Sequence, residues 1–252
     1  MMASPPKIGI NEEVYAVLHD NLIAVKPEYS GQDVILCPIC LRDIPRETVL
    51  KNGVEHIIPK NVVREDAADF ARLGTKNQRC GITVLCREPR QCRSDGKLSH
   101  DGCNGMKGRL YDRLFRDLFD EGRHEPEEFA HRHGVAILIM AYLGAFQTFG
   151  YEYILRPELG GIQEQFDFPD HSKTEWLPYA QYWLGKSETQ IVATSIGQPF
   201  VWGGQCTDDA PLHVYFRRCR AVLPGGFWKL KSMTKHLESL LPSEIAADRT
   251  AP

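Results

Sequence analysis

The chain has 252 residues, of which 42% are hydrophobic and 25% charged, and its formal net charge is −3. These values are ordinary for a globular protein, and the length suits one large domain or a small domain plus a second layer. No basic stretch followed by an apolar run opens the chain, so no secretory signal is readable. The longest apolar stretch, 134–146, is shorter than the ~20 residues of a membrane span. We therefore expect a cytoplasmic protein without a membrane span, and a buried helix at 134–146.

The charge is unevenly distributed along the chain. Residues 76–116 contain ten Lys and Arg against four acidic residues, a local charge of +6, which leaves −9 for the rest. Local positive charge of this kind attracts polyanions such as nucleic acid, even on an acidic protein. A solvated surface loop is the alternative, and charge alone does not decide between them.

Taken in chain order, the predicted elements indicate an α+β fold. The first segment, 1–33, reads as an arm with one short helix at 12–21. The next segment, 34–122, carries two strands and a helix, at 54–58, 82–85 and 101–119, with a polar insertion at 86–98. The remainder, 123–252, reads as an accessory region that is helical over 125–165 and forms a small antiparallel β region over 189–230.

Two short motifs, each with two residues between its ends, predict a structural metal site. The first is Cys37-x2-Cys40, and the second is His100-x2-Cys103 at the start of the predicted helix. Together they supply three thiolates and one imidazole, a common closed ligand set for zinc. A unit this small has little core, so the ion would contribute much of its folding free energy.

Other cysteines keep the ligand set open. One of Cys80, Cys86 and Cys92 could replace His100, or the three could form a second site. The alternative is that they are small core residues. We favour this for Cys80 and leave Cys86 and Cys92 open. Cys206 and Cys219 lie among the predicted strands and read as core.

The segment between and after these motifs carries the candidate chemistry. Glu55 and His56 stand at the end of an apolar strand in the run EHIIP, and Asn104 follows Cys103 in the run CNGMKG. Singly, His56 could be a partly buried histidine and Asn104 a helix cap. In combination, CxxC, EHIIP and a second knuckle ending in CN-x-x-KG resemble the zinc-knuckle branch of the HNH endonucleases. The resemblance covers residues 34–119, about a third of the chain.

The resemblance implies a role for each matching residue. His56 would be the general base, with Glu55 and Asn104 as ligands of a catalytic Mg²⁺ or Mn²⁺. Asn77 would be the central asparagine that orients the histidine. Lys107 would contact phosphate, and a basic stripe on the same helix would hold flanking phosphates: Arg109, Arg113 and Arg116.

The resemblance also implies a fold and an activity. The fold would be the ββα-metal unit, and the activity metal-dependent cleavage of phosphodiester bonds, with DNA as the expected target and a bacterial defence or restriction-type role as one setting. The competing hypothesis is a zinc module that binds nucleic acid or protein without cutting. It requires neither the Glu55–His56 pair nor Asn104. A protein partner or a second copy of the chain is left open, as is the role of 123–252.

Overall fold

The structure is a computed structural model of a mixed α and β protein, which confirms the predicted α+β class. It describes residues 9–60, 62, 81–91, 96–118, 131–159, 162–163, 166, 180–182, 200–203, 211–216 and 219–223. Four residues of the sequence analysis lie outside these ranges: Asn77, Cys80, Cys92 and Cys206.

The first helix, α1 (Ile10–Val25), confirms the helix predicted at 12–21 and is longer than expected. Val14, Leu18 and Leu22 recur every four residues and are fully or almost fully buried. The side-chain oxygen of Asn21 accepts a hydrogen bond from the Tyr151 N–H at 2.7 Å. The described part of the first segment is therefore packed into the core of the molecule.

A hairpin and a short helix follow. Strand β1 (Val34–Leu36) pairs antiparallel with β2 (Asp43–Pro45), which leads directly into α2 (Arg46–Asn52). The Tyr151 hydroxyl donates to the Leu36 carbonyl at 2.6 Å and accepts from the Leu36 N–H at 3.0 Å. Both bonds are buried, so they fix the strand that leads into the first cysteine knuckle.

The two predicted central strands are present but very short. Strand β3 (Glu55–His56) pairs antiparallel with β4 (Ile82–Thr83), with Glu55 opposite Thr83. The polar insertion contains a second small hairpin, β5 (Arg90–Gln91) with β6 (Leu98–Ser99), which the sequence did not indicate.

The helix predicted at 101–119 is confirmed, with an interruption. It consists of α3 (Gly102–Lys107), a π-helical turn at Gly108–Asp112, and α4 (Arg113–Asp117). Tyr111 and Phe115 are its most buried large side chains, while Leu110 and Leu114 are only partly buried. The π turn changes the phase of the helix, and the buried side of the helix from this turn onward carries Tyr111, Phe115 and Leu118.

The longest helix supplies the centre of the core. Helix α5 (His131–Phe149) confirms the buried helix expected at 134–146, and nearly all its side chains from Val135 onward are buried. Gly150, at φ +67°, turns the chain into α6 (Tyr151–Ile154), and a 3-10 turn follows at Pro157–Leu159. Among the described helices, none combines the length and apolarity that a membrane crossing requires.

A four-stranded antiparallel sheet packs against α5. Its order is β7-β10-β9-β8, where β9 (Leu212–Phe216) and β10 (Cys219–Leu223) form the centre, and β7 (Ala180–Tyr182) and β8 (Val201–Gly203) form the edges. Alternate residues of β9 and β10 are buried, including Cys219, as expected for a core cysteine. One core joins α1, the first hairpin, the α3–α4 helix, α5 and this sheet.

Candidate metal centre and adjoining cavity

The Cys37–Cys40 turn at the tip of the first hairpin is folded as a tight knuckle. The Leu41 N–H donates to the Cys37 carbonyl and the Cys37 N–H donates to the Arg42 carbonyl, both at 2.9 Å. Leu41 has a positive φ of 54°, which lets the backbone reverse directly after the second cysteine. The turn brings both sulfur atoms to one side, where Cys103 joins them. The three sulfurs lie within 4.8 Å of one another and could hold a metal ion.

Cys86 brings Cys103 to this position through the backbone. The Cys86 carbonyl accepts hydrogen bonds from the Cys103 N–H at 2.8 Å and the Asn104 N–H at 3.4 Å. Gly102 lies against the same backbone with φ +52°. A Cβ atom added there would lie 2.5 Å from the carbonyl oxygens of both Cys86 and Glu88. Only glycine fits this approach without displacement of the backbone.

The thiol of Cys86 lies beside these three sulfurs, although among the described residues the set within 4.8 Å of one another comprises Cys37, Cys40 and Cys103. Cys86 is buried, its N–H donates to the Cys37 sulfur at 3.4 Å, and its thiol is hydrogen-bonded with Cys40. His100 is exposed, and it is not among the described residues whose ligand atoms gather here. Ser99 is buried on strand β6, so the next residue along the chain faces outward. The structure thus brings Cys37, Cys40 and Cys103 together, with Cys86 next to them, and does not bring His100 within the same distance.

The neighbouring cysteines shift one another's pKa. Hydrogen bonds from Cys103, Cys37 and Cys86 lower the pKa of Cys40. Burial raises the pKa of Cys37, and the hydrogen bond to Cys40 followed by burial raises that of Cys86. The hydrogen bond with Cys37 lowers the pKa of Cys103, but the bond with Cys40 and burial together raise it to about 11. A metal cation bound by thiols such as these would favour their thiolate forms.

Two arginines surround the cluster with positive charge. Arg42 Nε donates to the Cys40 sulfur at 3.4 Å, and Arg90 Nη1 donates to the Cys103 sulfur at 3.2 Å. Four thiolates around a divalent cation carry an excess of two negative charges. These guanidinium groups would offset that excess, so the donor set and its surroundings fit a thiolate-bound metal.

Beside the cluster, a cavity of about 540 Å³ opens along the α3–α4 helix. It brings together the side chains of Glu55, His56 and Asn104, which the sequence placed in one site. Its other lining residues are Pro59, Lys60, Lys107, Gly108, Asp112, Arg113 and Arg116. Arg109, predicted as part of the basic stripe, is not in this lining, whereas Lys60 and Asp112 were not predicted.

An ion-pair network fixes the oxygen donors of the cavity. Arg87 pairs with the Glu55 carboxylate, and its Nη1 also donates to both oxygens of Asp101, at 2.9 and 3.0 Å. The Asn104 amide nitrogen donates to Asp101 Oδ2 at 2.8 Å, which leaves the amide oxygen as an acceptor. A carboxylate and an amide oxygen on one wall are donors that suit a hard divalent cation.

Lys107 differs from its predicted role as a phosphate contact. Its side chain is only 2% exposed, and its Nζ lies 2.5 Å from Asp112 Oδ1. In a regular helix, residues five apart point in different directions. The π turn between them brings the two side chains to the same face. The charge of Lys107 is therefore balanced inside the cavity wall by Asp112.

The comparisons with known proteins identified no relationship: no family model, no curated protein and no solved structure matches the chain. The assignment of the cluster and the cavity therefore depends on their own geometry.

The backbone contact at Gly102 generates the first prediction. Gly102→Ala should lower the free energy of unfolding by about 2 kcal/mol or more, because alanine is strained at positive φ and its Cβ meets two carbonyl oxygens. Gly108→Ala is the matched control. Gly108 has ordinary helical angles, and the nearest atom to an added Cβ is 4.0 Å away. Its effect should stay within about 1 kcal/mol. Equal stability of the two variants in denaturant unfolding would contradict the close approach of Cys86 to the α3 start.

Proposed function

We propose that the protein is a metal-dependent endonuclease of the HNH type that hydrolyses phosphodiester bonds in nucleic acid, with DNA as the first substrate to test. The observation that carries this proposal is the shared cavity. Glu55, His56 and Asn104 come from two separate parts of the chain and line the same cavity. The order of the elements, with the antiparallel strands β3 and β4 followed by the β5–β6 hairpin and then α3, supports the proposal, since a ββα-metal unit has two antiparallel strands before its helix.

The thiol cluster is proposed as a structural zinc site. Cys37, Cys40 and Cys103 gather within 4.8 Å of one another, and Cys86, which lies beside them, would supply the fourth sulfur. Four thiolates form a closed tetrahedral set for zinc. Since Cys103 directly precedes Asn104, the same ion would hold the start of α3 against the strand that carries Glu55 and His56.

In the cavity, Glu55 and the Asn104 amide oxygen would hold a Mg²⁺ or Mn²⁺ ion. Such an ion, when bound, supplies positive charge for the phosphate oxygens and the leaving oxygen. His56 would accept the proton of the attacking water. Its Nε2 atom is buried, so Nδ1 is the nitrogen that we assign to the water. Strand β3 positions the ring, because His56 is paired there with Ile82.

The rim of the cavity would hold the phosphates that flank the cleaved bond. Lys60, Arg113 and Arg116 supply three cationic side chains around the opening. Contacts of this kind position a strand and carry no sequence information. Lys107 is buried with Asp112, so we assign it to the structure of the cavity wall instead of to phosphate binding. Arg109 is not assigned to phosphate binding, because it is not among the residues that line the cavity.

One observation favours a second function, a zinc module that binds nucleic acid without cutting it. The Glu55 carboxylate already has a cationic partner, Arg87, so it is neutralised without a divalent ion. In either case the described parts of 123–252 contribute core to the site, and a role in recognising substrate or a partner protein remains a separate hypothesis.

Metal analysis distinguishes the two proposed ligand sets. Wild type should contain about one tightly bound zinc ion per chain. Cys86→Ala should lose it on dialysis against a chelator, because three thiolates leave the coordination open. His100→Ala and the core control Cys219→Ala should retain it. Zinc retained by Cys86→Ala and lost by His100→Ala would restore the set read from the sequence.

Plasmid cleavage tests the catalytic assignment. Wild type should nick or linearise supercoiled plasmid in Mg²⁺ or Mn²⁺ and be inactive in EDTA. His56→Ala should lower the rate by 10²-fold or more, about the contribution of general-base catalysis. His19→Gln changes a partly exposed histidine on α1 that is not in the cavity lining, and this variant should cut at the wild-type rate. Equal cleavage by His56→Ala would indicate another active centre. Binding without cleavage by wild type would support the non-catalytic module.

Salt dependence tests the proposed phosphate contacts. The His56→Ala protein should bind duplex DNA without cutting it, so the affinity of the protein for DNA can be measured by fluorescence anisotropy from about 50 to 200 mM salt. Arg113→Gln and Arg116→Gln should each lower the slope of log K against log salt by about 1. Lys51→Gln, exposed on α2, should leave the slope unchanged. Unchanged slopes in both arginine variants would remove this rim from the binding surface.

A further inference from the structure

The inference concerns two charged residues that the sequence analysis did not assign to the site. Arg87 and Asp101 both lie in the stretch between β4 and α3, outside the lining of the cavity. Each contacts one of the two oxygen donors in the cavity, and they contact each other. The order of contacts is Glu55, Arg87, Asp101, Asn104.

We propose that Arg87 and Asp101 form a positioning pair for a divalent-cation site, in which Arg87 orients the Glu55 carboxylate and Asp101 orients the Asn104 amide. This inference rests on the proposed function, since it takes Glu55 and Asn104 as the cation ligands. It adds two residues that would not contact the cation or the substrate.

The hydrogen-bond directions carry the proposal. An amide side chain can turn either its oxygen or its nitrogen toward a given neighbour. Asp101 is an acceptor only, so its bond with Asn104 at 2.8 Å selects the amide nitrogen and leaves Oδ1 for a cation. Arg87 pairs with Glu55 through Oε1, so in this proposal the cation would be bound through Oε2. Each ligand would then contribute one oxygen.

The shape of the guanidinium group explains why an arginine occupies this position. Its Nη1 donates to both oxygens of Asp101, while Nη2 pairs with Glu55. Arg87 is 28% exposed and Glu55 is 20% exposed, so the pair is largely shielded from water and its geometry is restrained. A lysine has the same charge but lacks a planar fork that can hold two carboxylates at fixed angles.

The backbone adds a second restraint. Arg87 follows Cys86, and Asn104 follows Cys103, so two members of the network are attached directly to cysteines at the thiol cluster. The Cys86 carbonyl also accepts the N–H groups of Cys103 and Asn104. The positions of the cation ligands therefore depend on the positions of the cysteines in the cluster.

The test is the affinity of the full chain for Mn²⁺, measured by electron paramagnetic resonance without nucleic acid. Arg87→Lys keeps the charge and removes the fork, so it should weaken Mn²⁺ binding about tenfold or more, as loss of groups that orient metal ligands does. In the double variant Arg87→Lys/Glu55→Gln, the loss of Mn²⁺ affinity should be smaller than the sum of the two single losses, since Arg87 acts through Glu55. Arg46→Lys alters a comparable arginine–glutamate pair, with Glu12, and should leave the affinity unchanged.

Each other outcome has a defined meaning. Unchanged or tighter Mn²⁺ binding by Arg87→Lys would overturn the inference, and tighter binding would make Arg87 a competitor of the cation. Zinc content and thermal stability are measured beside it. If Arg87→Lys loses zinc, Mn²⁺ affinity is measured for Arg87→Gln instead, and unchanged or tighter binding again overturns the inference. Loss of zinc by both variants would overturn a role for Arg87 that is confined to the cation site.

The inference and the proposed function fail separately. Mn²⁺ bound by wild type and weakened by Arg87→Lys, with no cleavage of any nucleic acid, would remove the nuclease and retain the positioning pair. Cleavage that depends on His56, in a protein that shows no Mn²⁺ binding, would retain the nuclease and remove the pair.

Discussion

The contact on which the site depends is the approach of the Cys86 carbonyl to the start of α3. It accepts the N–H groups of Cys103 and Asn104, and it brings Cys103 to Cys37 and Cys40, with Cys86 beside them. Residues next to these cysteines then fall into the cavity network, since Arg87 follows Cys86 and Asn104 follows Cys103. A small ββ-helix arrangement with two-residue strands has few hydrogen bonds of its own, so a metal bound by the cluster would contribute directly to the geometry of the cavity.

The long helix α5 provides the rest of the support. The Gln147 side-chain oxygen accepts the Ile82 N–H at 3.0 Å, which fixes β4 and through it the opposite residue, His56. The Tyr142 hydroxyl donates to the Pro38 carbonyl at 2.5 Å, inside the cysteine knuckle. Both the knuckle and the β3–β4 pair are therefore bonded to side chains of a region that was expected to be accessory. Removing that region would expose the back of the site as well as its own core.

Local patterns were sufficient to predict some parts of the molecule. The run of apolar residues at 134–146 predicted α5, and the knuckle spacing predicted that Cys37, Cys40 and Cys103 meet. The positions of Cys86 and Arg87 were harder to predict from the sequence. Sixteen residues separate Cys86 from Cys103, and the β5–β6 hairpin within that interval folds back on itself. The π turn was also unpredicted, since no residue type marks it. Without it, the burial of Lys107 against Asp112, five residues away, could not be anticipated.

The arrangement of charges explains how a chain of net charge −3 can present a cationic surface. Close to the oxygen donors, the described acids have basic partners: Glu55 and Asp101 share Arg87, and Asp112 pairs with Lys107, which leaves an excess of one negative charge. Such pairs hold geometry but contribute little net potential. At the rim, Lys60, Arg113 and Arg116 line the same opening. A polyanion would be attracted by this outer charge, while the paired inner groups keep the ligand oxygens oriented. Local charge separation of this kind, and not the total charge, decides what can approach the cavity.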